Sequence, residues 1–176
     1  MAGRSTLLVP VAAAESVVGR WRERYDRWAA VPAHITVFAP FQPPRRFDAG
    51  TVFRLGAVAA RHEPFSIVIA TLERHGDGLR LLPERVDKLR ELGADLAAEW
   101  PDVEGAGRHP DRRFHLSVGR TEDEAELGRM EAAIAPELPI SATIDELVLF
   151  VRGADVHDRR DTPRPAGRFR LGRASR

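Results

Sequence analysis

Two short stretches of the chain echo each other: Ala33-His34-Ile35-Thr36-Val37-Phe38 and Phe114-His115-Leu116-Ser117-Val118-Gly119. In each, a histidine and a hydroxyl residue are separated by one apolar residue and flanked by others. Such alternation is typical of a half-buried β-strand. Residues two apart on a strand leave the same face, so each stretch presents an imidazole beside a hydroxyl.

Because the His-x-Thr/Ser motif occurs twice, we do not attribute it to chance. A chain with six histidines can contain one His-x-Thr by accident. Two copies, each on a predicted strand that a helical pattern follows, are much harder to obtain. We therefore predict two half-sites at one cleft, with His34 and His115 facing each other across it. The alternative is a pair of hydrogen-bonded core histidines.

The paired motifs resemble those of the 2H phosphoesterase superfamily. The run from residue 31 to residue 41 resembles its 2′-5′ RNA ligase and cyclic nucleotide phosphodiesterase branch. The resemblance implies an α+β fold of two pseudo-symmetric lobes, with antiparallel sheets lining a central cleft and helices outside. It also implies catalytic roles for His34, Thr36, His115 and Ser117, and, less firmly, His115 as the base and His34 as the acid.

Composition narrows the class of protein. With 43% hydrophobic and 30% charged residues, the chain is typical of a soluble protein, and no apolar run approaches a membrane span. We expect a monomer. We also expect it in the cytoplasm, because Pro10 interrupts the only apolar stretch that could target the chain elsewhere. There is no cysteine, which excludes disulfides and thiolate chemistry.

The charge is unevenly distributed. Residues 151–176 hold eight Arg and three Asp, a net +5, which leaves 1 − 5 = −4 for residues 1–150. This basic segment, from about residue 152 onward, is interpreted as a solvated tail, with an RNA-contacting patch as the alternative. We predict that residues 1–176 form a single bilobal domain.

Apolar periodicity and turn signals predict the elements. In order they are a strand at 5–11, a helix at 13–28, the first motif strand, a helix at 48–62, a hairpin of strands at 65–72 and 79–82, a helix at 83–100, a loop at 101–113, the second motif strand, a helix at 121–134, strand material at 140–151 and a short run at 169–171. Motif strand, helix and long strand occur twice in this order, which indicates two similar lobes.

Local signals add detail to three of the helices. Asp48 is the predicted N-cap of the second, with Val52 among its inward residues. Thr121 and Glu124 are spaced as a capping box for the fourth. On the first helix, the arginines, Arg22 among them, lie largely off the apolar stripe.

Histidine near its ordinary pKa of about 6.5 serves as acid or base at neutral pH, and phosphodiester hydrolysis needs one of each. Thr36 and Ser117 supply hydroxyl donors for phosphoryl oxygens. By the same alternation Phe38 shares the face of His34 and is predicted to stack a base, while Gly119 leaves room for one. Arg120 is a candidate phosphate contact; the alternative is a solvent-facing arginine.

No metal or other cofactor is needed by this scheme. The remaining histidines occupy ordinary surface positions, and His109 with Asp111 is the only nearby pair with ligand character. We predict a metal-independent enzyme acting on RNA ends or nucleoside cyclic phosphates, opening 2′,3′-cyclic phosphates to 2′-phosphomonoesters, with 2′-5′ ligation as the reverse reaction. The rival is a non-catalytic nucleotide- or RNA-binding module that retains the cleft.

Overall fold

The structure is a computed structural model that describes residues 4–26, 28–103, 113–152 and 162–172. Over these residues the elements are β1 (Arg4–Pro10), α1 (Glu15–Tyr25), β2 (His34–Phe38), α2 (Ala49–Ala60), β3 (Phe65–His75), β4 (Gly78–Pro83), α3 (Asp87–Glu99), β5 (Leu116–Arg120), α4 (Glu124–Ile134), β6 (Ile140–Ile144), β7 (Glu146–Arg152) and β8 (Arg164–Arg170). None of the helices within these ranges is long and apolar enough to cross a membrane.

The eight strands form one antiparallel sheet in the order β6-β3-β4-β5-β2-β1-β7-β8. Its two four-stranded halves meet where β2 pairs with β5, through Ile35 and Leu116. The α+β prediction is confirmed. The two predicted sheets are joined into one, because the two motif strands pair directly with each other.

Apolar residues behind the motifs anchor this joint. Ile35, Val37, Leu116 and Val118 are all fully buried in the main core. Helix α3 packs on this back face, where Gly93 lies against Val37. The sheet therefore presents the motif side chains on one face while the other face holds the strands in place.

The strand material predicted at 140–151 is two strands rather than one. Strand β6 pairs with β3 in one half of the sheet, whereas β7 pairs with β1 and β8 in the other. The chain passes from one half to the other at Asp145, between them. This stretch thus ties both halves together, which an apolar pattern along a single stretch cannot reveal.

Two local predictions for the helices need correction. Asp48 caps α2 as predicted, accepting from the Thr51 N–H, but Val52 is 48% exposed. Helix α4 is capped by Asp123, which accepts from two N–H groups of the first turn, while Thr121 accepts from the Asp123 N–H instead. An Asp next to the first turn competes well for the N-cap position.

The described part of the basic segment is not a solvated tail. Residues 164–170 form the edge strand β8, and Phe169 and Leu171 are buried. Arg168 pairs with Glu146 at 2.6 Å and Arg170 with Asp145 at 3.4 Å. The rest of the segment, at 153–161 and 173–176, lies outside the described residues.

Candidate functional site

The pairing of β2 with β5 brings the two motifs together. Ile35 lies opposite Leu116 in an antiparallel pair, so the same register places His34 opposite Ser117 and Thr36 opposite His115. Opposite residues have Cβ atoms about 4.5–5.5 Å apart, and diagonal ones, such as the two histidines, about 7–8 Å. Each imidazole therefore has the hydroxyl of the other motif as its cross-strand neighbour. His34 begins β2 and His115 directly precedes β5, the two strands that pair where the halves of the sheet meet.

Both imidazoles are oriented in the same way. Nδ1 of His34 lies 2.7 Å from the Pro32 carbonyl oxygen, and Nδ1 of His115 lies 3.0 Å from the Arg113 carbonyl oxygen. A carbonyl oxygen only accepts, so Nδ1 carries the proton in each bond. In the neutral ring, Nε2 is then left as the proton acceptor.

The environment of His34 disfavours its charged form. Burial lowers the pKa of His34 to about 4; the bond to the Pro32 carbonyl opposes this shift, and the charges of Arg22 and His115 add to it. His34 is therefore neutral in the empty site at physiological pH.

Two adjoining cavities open on the motif face. The smaller, about 210 Å³, is lined by His34 and Thr36, and the larger, about 500 Å³, by His115. Ser117 and Trp28 line both. A phosphate at Ser117 would therefore lie at the junction, with room for further groups of a substrate on either side.

Two arginines, Arg80 and Arg120, line the larger cavity. Arg80 lies opposite Ser117 on β4 and pairs with Glu73 at 2.5 Å. Arg120, the predicted phosphate contact, is 68% exposed and pairs with Asp77 at 2.5 Å, which raises the pKa of Arg120. Both guanidinium groups are held in place by a carboxylate in the empty site.

Phe38 does not face the cleft, so the prediction that it stacks a base is wrong. Its side chain is fully buried and packs edge-on against Phe41, with ring centroids 6.1 Å apart. The cause is a bulge: Leu7 lies opposite Phe38, yet the next residue, Leu8, lies opposite Thr36. Since Leu7 belongs to the main core, Phe38 turns to that side and leaves the face of Thr36.

Gly119 does not leave open space for a base either. A Cβ at this position would lie 2.7 Å from the Cβ of Tyr25, at the C-terminal end of α1. The glycine is needed because the helix passes this close to β5. Tyr25 thus occupies the space that the sequence suggested for a ligand.

We expect Gly119→Ala to destabilise the protein by about 1–3 kcal/mol, because the added methyl group overlaps Tyr25 and forces α1 away from the sheet. Gly128→Ala in α4 is the matched control. Its Cβ would meet no atom within 4 Å, and it should gain about 0.5–1 kcal/mol of helix stability. Urea unfolding of the three proteins measures both changes; equal stability of Gly119→Ala and wild type would contradict the close contact.

Sequence reasoning missed several residues of the site. Trp28 follows α1 and lines both cavities, and Asp26 does so beside it. Arg22, predicted off the apolar stripe of α1, is only 2% exposed and pairs with Asp26 at 3.0 Å. Its spacing of four residues from buried Val18 is the signal that could have indicated an inward position.

The other histidines are distributed as follows. His75, predicted in a surface turn, lines the larger cavity, and His62 pairs with Asp95 at 3.0 Å. His109, Asp111 and His157 lie outside the described residues. Within the described ranges, no three His, Asp or Glu side chains come close enough together to hold a metal ion.

Comparisons with known proteins bear on the family and the fold of the chain. Over residues 9–156 the sequence matches the family described as the 2′-5′ RNA ligase superfamily, while no protein of curated function matches it significantly. Among solved structures, E. coli LigT complexed with 3′-AMP is 17% identical, with a TM-score of 0.59 and 98% of this chain and 100% of that chain covered. The protein TT0787 of Thermus thermophilus is 14% identical, with a TM-score of 0.58 and coverage of 96% and 98%. A phosphoesterase is 15% identical, with a TM-score of 0.57 and coverage of 98% and 100%. At these identities the structures share the fold.

Proposed function

Because the chain belongs to the 2′-5′ RNA ligase superfamily of 2H phosphoesterases, we propose that it opens 2′,3′-cyclic phosphates, at RNA ends or in nucleosides, to 2′-phosphomonoesters without a metal ion. The observation that carries this proposal is the placement of His34, Thr36, His115 and Ser117 on one face of two paired strands. Two imidazoles on neighbouring strands suit one phosphate between them, since each can reach an oxygen on a different side of phosphorus.

In the proposed reaction one imidazole takes a proton from water as the water oxygen bonds to phosphorus. The bond from phosphorus to the ribose 3′ oxygen breaks, and the other imidazole protonates that oxygen. Thr36 and Ser117 donate hydrogen bonds to the non-bridging oxygens, where charge accumulates. Each proton transfer typically accelerates the reaction about 10²–10⁴-fold. If the attacking oxygen is the 5′ hydroxyl of a second RNA, the product is a 2′-5′ linkage.

We assign His34 as the base and His115 as the acid, the reverse of the order that the family resemblance implied. Burial holds the pKa of His34 at about 4, so its Nε2 is free to accept a proton at neutral pH. An acid with this pKa would be almost entirely deprotonated before catalysis. His115 lies 3.0 Å from the Arg113 carbonyl oxygen through Nδ1, which leaves Nε2 to donate when the ring is charged.

Nucleotides are the substrate class that the cavities suit. E. coli LigT has been crystallised with 3′-AMP, NADP+, phosphate and ATP. Here, a phosphate bound at Ser117 would lie in a cavity that Trp28 also lines, and the Trp28 indole packs on an apolar cluster that includes Leu8 and Val148. Trp28, which lines both cavities, rather than the buried Phe38, is the aromatic residue that we propose to contact a base.

The decisive experiment is to incubate the purified protein with the four nucleoside 2′,3′-cyclic phosphates in excess EDTA and to identify the products by phosphorus NMR. We expect 2′-monophosphates, at a rate that EDTA leaves unchanged. Saturable binding without turnover would favour the rival, a nucleotide-binding module. Loss of activity with EDTA and its return with a divalent ion would overturn the metal-independent scheme.

Removing one hydroxyl should cost less than removing an imidazole. We expect Thr36→Val and Ser117→Ala each to lower kcat/KM by about 10–150-fold, the equivalent of one hydrogen bond to charge at roughly 1.5–3 kcal/mol. Steady-state kinetics on the best cyclic nucleotide measures the loss. Unchanged kinetics in both variants would remove the hydroxyls from the proposed mechanism.

Trp28 should contribute to nucleotide affinity. Trp28→Leu is expected to raise KM about 5–150-fold, because base stacking on an aromatic ring is worth about 1–3 kcal/mol, with a smaller change in kcat. Trp28→Phe, which keeps an aromatic face, is the matched control and should stay close to wild type. Equal KM values in all three proteins would place the base elsewhere.

A further inference from the structure

Arg22 joins the two motifs from beneath the site. One guanidinium nitrogen, Nη1, donates to the Ser117 carbonyl at 2.7 Å; the other, Nη2, donates to the carbonyls of Val31 at 3.0 Å and Trp28 at 3.2 Å. Ser117 belongs to the second motif, and Val31 lies three residues before His34 of the first. One side chain of α1 therefore fixes backbone on both sides of the site.

This placement is costly for a charged group. Burial lowers the pKa of Arg22, and the carboxylates of Asp26 and Glu15 counter this effect only in part. An apolar side chain of similar volume would pack a helix on a sheet without that cost. A planar guanidinium, in contrast, can serve three carbonyls and one carboxylate at the same time, which a lysine cannot.

Resting on the proposed function, we propose that Arg22 is a positioning residue of the active site. Its guanidinium holds the backbone at Ser117 against the segment 28–31 that leads into His34, and its positive charge adds to the burial that disfavours protonation of His34. The first role keeps each histidine opposite the hydroxyl of the other motif. The second keeps His34 ready to accept a proton.

Burial is the largest cause of the low pKa of His34, and Arg22 is the permanently charged group that adds to it. His115, directly before β5, is the other group whose charge acts against protonation of His34. Asp26 lines the same cavity but is paired with Arg22, and Glu15 accepts from the Ala33 N–H. The imidazole of His115 loses its charge whenever it gives up its proton, whereas the guanidinium is permanently charged.

The test separates charge from hydrogen bonding with Arg22→Lys and Arg22→Met, and uses Arg24→Gln as the control. Arg24 lies on the same helix but is 68% exposed. For each folded protein, NMR titration gives the pKa of His34 in the absence of substrate, and steady-state kinetics on a cyclic nucleotide gives kcat and KM. Thermal unfolding reports whether each variant folds.

We expect Arg22→Met to raise the pKa of His34, because it removes a charge that disfavours protonation, and to lower kcat at least about tenfold. Arg22→Lys should keep that pKa low, because the charge remains. It should still lower kcat, because an ammonium group cannot bond to the three carbonyls and the carboxylate at once. Arg24→Gln should match wild type.

A folded Arg22→Lys or Arg22→Met with wild-type kcat and wild-type His34 titration overturns the proposal. If Arg22→Met does not fold, the kcat of Arg22→Lys tests the proposal: a wild-type value overturns it. If the wild type itself lacks turnover, the proposed function fails, while the titration still tests the effect of Arg22 on His34.

Discussion

Replacing either motif histidine with glutamine should lower kcat/KM on a 2′,3′-cyclic phosphate by about 10²–10⁴-fold, the usual contribution of one positioned acid or base. In the proposed mechanism, His34→Gln removes the group that accepts the proton of the attacking water, and His115→Gln removes the group that protonates the leaving oxygen. Because both protons move within one displacement, the double variant should be little slower than the slower single variant. Steady-state and single-turnover assays measure the three losses.

His75→Gln is the matched control for this experiment. His75 also lines the larger cavity, but it lies at the β3–β4 turn and not on a motif strand. Its replacement should leave kcat within a few-fold of wild type. Near-wild-type turnover by His34→Gln or His115→Gln would remove that histidine from the chemistry, and a multiplicative loss in the double variant would indicate that the two act in separate steps.

The catalytic candidates could be predicted from the sequence because strand alternation is a local property. Residues two apart share a face whatever the strand pairs with, so His34 with Thr36 and His115 with Ser117 followed from the pattern alone. The prediction that all four residues belong to one site depended also on the motif occurring twice. The pairing of β2 with β5 could not be predicted from either, since it depends on which strands are neighbours.

The errors arise where a tertiary contact overrides the local pattern. Alternation placed Phe38 with Thr36, but a bulge opposite Leu7 and Leu8 turns it into the core. Gly119 was interpreted as open space, although the approach of Tyr25 fills it. Hydropathy placed Arg22 on the solvent side of α1, yet its partners are carbonyls that the fold brings together from distant parts of the chain. In each case the decisive neighbour is far away in sequence or outside the periodic pattern.

The low pKa of His34 also makes the stability of the protein depend on pH. Its folded pKa of about 4 lies below the unfolded value of about 6.5, so between these values the unfolded chain binds the proton more readily than the folded one. Stability is therefore fully present above about pH 6.5 and is lost as the pH falls toward about 4. For a partly buried imidazole shifted by this much, the loss is roughly 2–3 kcal/mol.

His34→Gln isolates this contribution, because glutamine does not titrate while other groups continue to do so. We expect the free energy of unfolding, measured in urea at about pH 7, 5.5 and 4, to fall by roughly 2–3 kcal/mol more in wild type than in His34→Gln. His62→Gln serves as the control, since it removes a histidine that is paired with Asp95 away from the motif face. In His62→Gln the free energy of unfolding should not lose the part of its pH dependence that is expected to disappear in His34→Gln. Parallel curves for wild type and His34→Gln would mean that His34 binds its proton as readily in the folded protein as in the unfolded chain, and the assignment of His34 as the base would lose its main support.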